Sequence, residues 1–263
     1  MKCLVAVVGP TAVGKSQLAL HLAQDFGGEI VNADSRQVYR YMDIGTAKPS
    51  RAEMSLVRHH LIDIINPDES FSLAIYQKLA FDAIEDIQQR HKLPLLVGGS
   101  GLYVWSVIEG WKIPPVAPNA KLRRSLEIRA REKGGYALYQ ELQKLDQVAA
   151  TKIMPTNLRR IIRALEICQT TGRPASQLWQ KQPPSYPVLI IGLTIQREDL
   201  YRRIDSRVDE MIKHETHRFA RHQYAWFHLD DARIHWFDEY NDTRKEAADL
   251  VSTFMNSIAG QAG

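Results

Sequence analysis

The chain has 263 residues, with 34 Lys+Arg against 30 Asp+Glu, 44% apolar residues, 15 Gly and 12 Pro. This globular composition excludes a collagen, a disordered tail and a coiled coil, and the length suits one large or two modest domains whose core forms without disulfide staples. The cysteines Cys3 and Cys168 have no second pair with which to frame a zinc site and read as buried thiols of a reducing compartment. A short apolar N-terminus without a cleavage site, and no later run near ~18 apolar residues, lead us to expect a soluble, cytoplasmic protein with no membrane partner; a monomer is also expected.

Leu4–Val8 is an unbroken apolar run ending at Gly9-Pro10 and reads as a buried parallel strand. A helix is expected from Ser16 to Phe26, strands at Ile30-Val31, His60–Ile65 and Leu95–Val97, and helices near 52–58 and 72–91. Strands alternating with helices of this length make a parallel sheet covered by helices, an α/β fold. Val188–Leu193 reads as a further strand of that sheet. Between them the pattern is helical at Ala120–Lys133, Tyr136–Leu145, Gln147–Ile153 and Asn157–Thr170, every break but Asp146 carrying Gly or Pro. Stiff Pro-rich segments at 114–118 and 182–187 flank this block. Residues 114–187 are therefore expected to be an inserted helical domain, and 1–113 with 188–263 an α/β core with C-terminal helices. Helical patterns at Arg197–Trp226 and Thr243–Ile258, around a short strand at Ile234–Phe237, complete the chain.

Gly9, Pro10, Thr11, Ala12, Val13, Gly14, Lys15 and Ser16 fit G-x-x-x-x-G-K-[ST] without a mismatch, between a predicted strand and a predicted helix. The glycines let several N–H groups point into one cavity, the helix N-terminus adds its positive dipole end, Lys15 brings a charge and the Ser16 hydroxyl suits Mg²⁺. A di- or triphosphate belongs in such a P-loop. A hydrolase of this architecture needs an acid at the end of a buried strand to hold Mg²⁺, yet Leu95–Val97 runs into Gly98-Gly99-Ser100-Gly101. Asp63 lies in the expected third strand, where a structural and a metal-linked role are equally open. Asp34 follows Ile30-Val31 at the sheet edge where ligands bind, and can hold a metal, cap a turn or act as general base.

The net charge of +4 is unevenly spread: residues 121–133 and 152–163 each carry an excess of four positive charges. That suits an anionic partner, although solvated helix faces also look like this. Histidines 214, 217, 222, 228 and 235 lie close in sequence without metal-ligand spacing and read as exposed or RNA-facing. For Trp226, Phe227, Trp236 and Phe237, packing at a domain edge is expected over base stacking.

The P-loop, then Asp34-Ser35-Arg36-Gln37-Val38-Tyr39, Met42–Pro49, His60–Asp63 and Val97–Tyr103, strongly resemble the tRNA dimethylallyltransferase family, the isopentenyl transferases of tRNA. The resemblance continues through Asn157–Glu166, Arg207–Met211 and Arg221–Phe227. It implies transfer of a dimethylallyl group from dimethylallyl diphosphate to N6 of adenine 37, 3′ to the anticodon, in tRNAs reading codons that begin with U. The P-loop would then hold a diphosphate leaving group, stabilised by its N–H groups, Lys15, Thr11 and Mg²⁺ at Ser16, with Arg163 as a second cation. Asp34 would serve as general base on N6–H of a base turned out of its stack. The resemblance also implies anticodon stem-loop contacts by Asp34, Ser35, Arg36, Gln37, Ser100 (usually Thr in the family), Arg123, Arg159, Arg160, Ile161, Ile162, Arg163, Arg221 and Gln223. Two features depart from the family pattern. Several tens of residues, including a Gly-rich stretch, are missing between Ile212 and His214, and His228 replaces a basic residue after Trp-Phe. A small-molecule or nucleoside kinase, with ATP·Mg²⁺ on the P-loop, is the alternative, and an inactive RNA-binding module is a third.

Overall fold

The computed structural model describes residues 2–43, 45–209, 227–238 and 242–260. Chain contacts divide it into two compact units, residues 1–109 with 183–263, and Gly110–Gln182.

In the first unit, strands β1 (Leu4–Val8), β2 (Glu29–Asn32), β3 (His59–His60), β4 (Pro94–Gly98), β7 (Val188–Thr194) and β8 (Ile234–Asp238) form a sheet in the order β3-β2-β4-β1-β7-β8, all parallel. β1 is central, with Val5 opposite both Leu95 and Leu189. Every residue of β1 and β4 is buried, which is why these strands read as continuous apolar runs. Helices α1 (Lys15–Asp25), α2 (Arg51–Leu56), α3 (Leu73–Gln89), α4 (Gly101–Ile108), α10 (Arg197–Asp209) and α11 (Thr243–Gly260) belong to the same unit. α3 starts at Ser72, whose hydroxyl accepts from Ile75 N–H, and turns Tyr76, Ala80, Ile84 and Ile87 inward at helical spacing. At the N-terminal edge of the sheet, buried Glu29 accepts from Arg90, Lys92 and His60. Arg90 above all, then Lys92 and His60, hold its carboxyl well below the usual carboxylate range despite burial.

Two expectations fail here. The third strand stops at His60, because Leu61 and Asp63 adopt left-handed backbone (φ 64° and 55°) and turn the chain, leaving a single bridge from Ile65 to Tyr39. Asp63 is therefore not inside a strand. α4 was not expected at all: seven of its eight residues are buried, so no apolar stripe marks it.

The second unit holds α5 (Ala120–Lys133), α6 (Gly135–Leu145), α7 (Gln147–Lys152), α8 (Leu158–Thr171) and α9 (Ala175–Leu178), closed by a two-stranded antiparallel pair, β5 (Trp111–Lys112) with β6 (Gln180–Lys181). That pair and the bond from Gln182 N–H to Gly110 O, 2.9 Å, set the unit's limits at 110 and 182, against the expected 114 and 187. Its core gathers Leu126, Leu138, Leu142, Ile161 and Leu165. Asp146 caps α7 through Ala149 N–H and also accepts from the Ser176 N–H and hydroxyl. Cys3 and Cys168 are both buried free thiols. Among the described residues no helix is long and apolar enough to cross a membrane.

Candidate diphosphate and acceptor site

The P-loop needs its glycines for two reasons. Gly9 has φ 143°, and a Cβ there would stand 2.4 Å from Leu193 O. Gly14 precedes α1 with φ 94° and no side-chain cap, so no capping side chain covers the helix N-terminus, the kind of place where phosphates bind. Lys15 Nζ donates to Pro10 O at 2.6 Å, curling over its own loop.

Thr11, Gly14, Lys15 and Ser16 form one wall of a cleft of about 480 Å³, whose other walls include Asn32, Asp34 and Gln37 and the apolar side chains Leu20, Ile30, Ile62 and Val97. Parallel β1, β2 and β4 end at the same edge, which brings these loops together. Gly98 makes the approach possible, since any Cβ there would lie 2.2 Å from Ala33 O.

Asp34 is half-buried, and its Oδ1 accepts from Arg36 N–H at 2.8 Å. Among the described residues no hydrogen bond engages Oδ2. The neighbouring segment is pinned from several sides. Ser35 N–H donates to Ser100 Oγ at 2.9 Å, and Ser100 Oγ lies 3.1 Å from Ser35 Oγ. Gln37 Nε2 donates to Thr46 O and Ala47 O, both at 3.0 Å. Ser100 and Gln37, expected as tRNA contacts, thus also hold the protein's own loops. Tyr76 and Tyr103 stack with ring centroids 3.7 Å apart, and the Tyr76 hydroxyl donates to Asn32 O at 3.1 Å. Burial, then the negative charge that Tyr39 and Asp34 would place beside it, pushes Tyr103 up to about 12.

Asp63 is explained by Lys48. The Lys48 ammonium, almost fully buried, donates to Asp63 Oδ1 at 2.5 Å, Asp43 Oδ1 at 2.6 Å and Tyr39 O at 2.7 Å. Burial works against its charge, but the bonds to Asp43 and Asp63 outweigh that and raise it. The metal-linked reading of Asp63 gives way to this clamp, and among the described residues no cluster of three or more metal-binding side chains exists.

In the helical unit, Arg123 and Arg163 both grip Glu166. Arg123 donates through Nε at 2.9 Å and Nη2 at 2.7 Å, Arg163 through Nη1 at 2.5 Å, and Asn119 N–H adds a fourth bond at 2.7 Å. Burial would raise Glu166, but these donors, Arg123 first, bring it down to about 2. Ile161 and Ile162 are 0% and 6% exposed and pack in the core. Of the positions expected to meet tRNA, these two thus turn their side chains into the core of the helical unit. Arg159 and Arg160 are exposed on the same helix. Arg221, Gln223, Trp226 and His214, His217 and His222 lie outside the described residues, as does the junction at Ile212–His214. Phe227 is buried, its ring 6.1 Å from Trp105, and Trp236 and Phe237 are half-buried, so these three pack. His228 and His235 are exposed. The roles of Asn32, Tyr76 and Lys48 were not read from sequence. For Asn32 a signal existed, since an Asn two positions before a loop residue at a strand end forms an Asx turn.

A P-loop facing a carboxylate across a cleft with an apolar wall defines a group-transfer enzyme of the P-loop α/β class. The sequence profile of the IPP transferase family matches residues 37–215, and the chain belongs to that family. A tRNA dimethylallyltransferase of Roseiflexus castenholzii is 57% identical over 209 residues, covering 80% of this chain and 68% of the relative. That of Dehalococcoides mccartyi is 40% identical over 300 aligned residues, covering 96% and 92%. This alignment is longer than the whole chain, so that relative carries internal residues that this one lacks. The full-length tRNA isopentenylpyrophosphate transferase of Bacillus halodurans superposes with a TM-score of 0.69 at 35% identity, covering 100% of this chain and 99% of that one.

Proposed function

We propose that this chain is a cytoplasmic, monomeric enzyme that transfers the dimethylallyl group of dimethylallyl diphosphate to N6 of the adenine 3′ to the anticodon, in tRNAs reading codons that begin with U. The observation that carries this reading is the Asp34 carboxylate, one oxygen fixed by Arg36 N–H and the other without a hydrogen bond among the described residues, in the same cleft as the P-loop. The P-loop N–H groups, Thr11 and Lys15 bind the diphosphate, and Leu20, Ile30, Ile62 and Val97 offer the apolar wall that a five-carbon chain needs. As the allylic C–O bond breaks, its electron pair leaves on the diphosphate, where Lys15 and the loop N–H groups stabilise the growing charge. The N6 lone pair, weakened by delocalisation into the ring, forms the new C–N bond while Asp34 takes the N6 proton.

The site fits Mg²⁺ in a limited way. The exposed Ser16 hydroxyl, in the first turn of α1, lines the cleft with Asp34, and a hydroxyl with diphosphate oxygens and water is an oxygen set that this hard cation accepts. Bound there it would neutralise leaving-group charge. The adenine must leave its stack to reach the cleft, at a cost of a few kcal/mol. Arg36 and Gln37 then meet the base or its neighbours, and Arg159 and Arg160, with Arg123 and Arg163, give the helical unit a cationic surface for the anticodon stem-loop. The test is an anticodon stem-loop carrying guanine in place of the adenine 3′ to the anticodon, beside the unaltered one. Label from dimethylallyl diphosphate is expected on the unaltered stem-loop alone, and equal labelling of both would overturn the assigned position.

A further inference from the structure

Asn32, the last residue of β2, lines the cleft but is only 4% exposed. Its side chain is spent on the residue two positions on. Oδ1 accepts from Asp34 N–H at 3.0 Å and Nδ2 donates to Asp34 O at 3.2 Å. Nδ2 also donates to Leu61 O at 3.0 Å, at the left-handed turn where the third strand ends. One amide thus holds both backbone polar groups of Asp34 and ties them to a neighbouring loop. Asn32's own backbone carbonyl accepts from Tyr76, which the Tyr103 ring packs against.

We propose that Asn32 is a positioning residue for proton transfer, fixing the backbone of Asp34 so that its Oδ2 meets the acceptor N6–H. This rests on the reading of Asp34 as general base. The sheet does not need the Asn32 side chain, because β2 already pairs with β4 through Asn32 opposite Val97 and through Ala33 N–H to Val97 O at 2.7 Å. Asp and Ser would replace it only in part. Asp or Ser can accept from Asp34 N–H, but Asp cannot donate to two carbonyls and Ser has one proton for both. Asp34 χ1 is held separately by Arg36 N–H, so backbone and side chain of the base are fixed by different groups.

The experiment is a double-mutant cycle on single-turnover prenyl transfer at saturating tRNA and dimethylallyl diphosphate, with KM for both and thermal melting measured alongside. Asn32→Ala is expected to lower the rate about 10²-fold, the loss that a misplacement near 1 Å causes, with both KM values close to wild type. In the Asp34→Asn background the same substitution is expected to cost almost nothing, because the group it positions is gone. Asn32→Ser, which still accepts from Asp34 N–H, is expected to lose less, and it carries the test if the alanine variant does not fold. Losses that multiply in the double mutant, or a change confined to KM, would overturn the positioning role. A wild-type rate in Asp34→Asn alone would instead overturn the general-base reading, and the two failures are distinct.

Discussion

Two carboxylates, one in each unit, show how differently the same chemical group is used. Glu166 in the helical unit is wholly buried and accepts from Asn119 N–H, Arg123 and Arg163, so its lone pairs are spent inside the protein. Asp34 in the sheet unit is half-buried, has one oxygen held and the other turned to no protein donor among the described residues, and shares a cleft with a P-loop. A saturated carboxylate organises a fold, whereas one fixed at a single oxygen beside a cavity is equipped to accept a proton. Glu29, gripped by Arg90, Lys92 and His60 at the opposite edge of the sheet, belongs with Glu166.

The sharpest way to break this contrast is Asp34→Ala. Transfer is expected to fall about 10²–10⁴-fold while tRNA affinity, measured by filter binding, stays near wild type. Lys15→Ala follows, with an expected loss of about 10²–10³-fold in turnover, the cost of removing one stabiliser of a developing oxyanion, read as the rate of diphosphate release. Glu166→Ala is expected to leave the chemistry of folded enzyme intact and to cost on the order of 3 kcal/mol of stability, measured by urea unfolding. Its pH dependence has a definite sign. The carboxyl lies at about 2 in the fold against an ordinary 4.5, so its contribution is full above pH 4.5 and fades as pH falls towards 2. The variant should show a flatter acid limb in that window than wild type. The smallest effect is expected from Arg160→Ala on the exposed face of α8: binding weakens modestly and the slope of log affinity against log salt falls by about 1, whereas an unaltered slope would remove this residue from the phosphate contacts.

Much of the sheet unit was legible because its demands are local. The P-loop glycines answer to backbone angles and a 2.4 Å approach, and Asp34 follows directly from the strand that carries it. The third strand misled because His60–Ile65 has the composition of a strand, while the left-handed turns at Leu61 and Asp63 depend on Lys48 and Arg40, which bond to Asp63 from elsewhere in the chain. α4 was hidden by its own burial. In the helical unit, a run of arginines does not tell which face of α8 is inside. Glu166, at 0% exposure, decides it, drawing Arg123 and Arg163 into a structural cluster and placing Ile161 and Ile162 in the core.

The most direct measurement is mass spectrometry of unmodified tRNA, with an anticodon reading codons that begin with U, incubated with the chain, Mg²⁺ and dimethylallyl diphosphate, and in parallel with ATP. The expected result is a five-carbon adduct on the adenine 3′ to the anticodon, with diphosphate released in equal amount and ATP left intact. Phosphoryl transfer from ATP, or bound tRNA with neither adduct nor diphosphate, would contradict it.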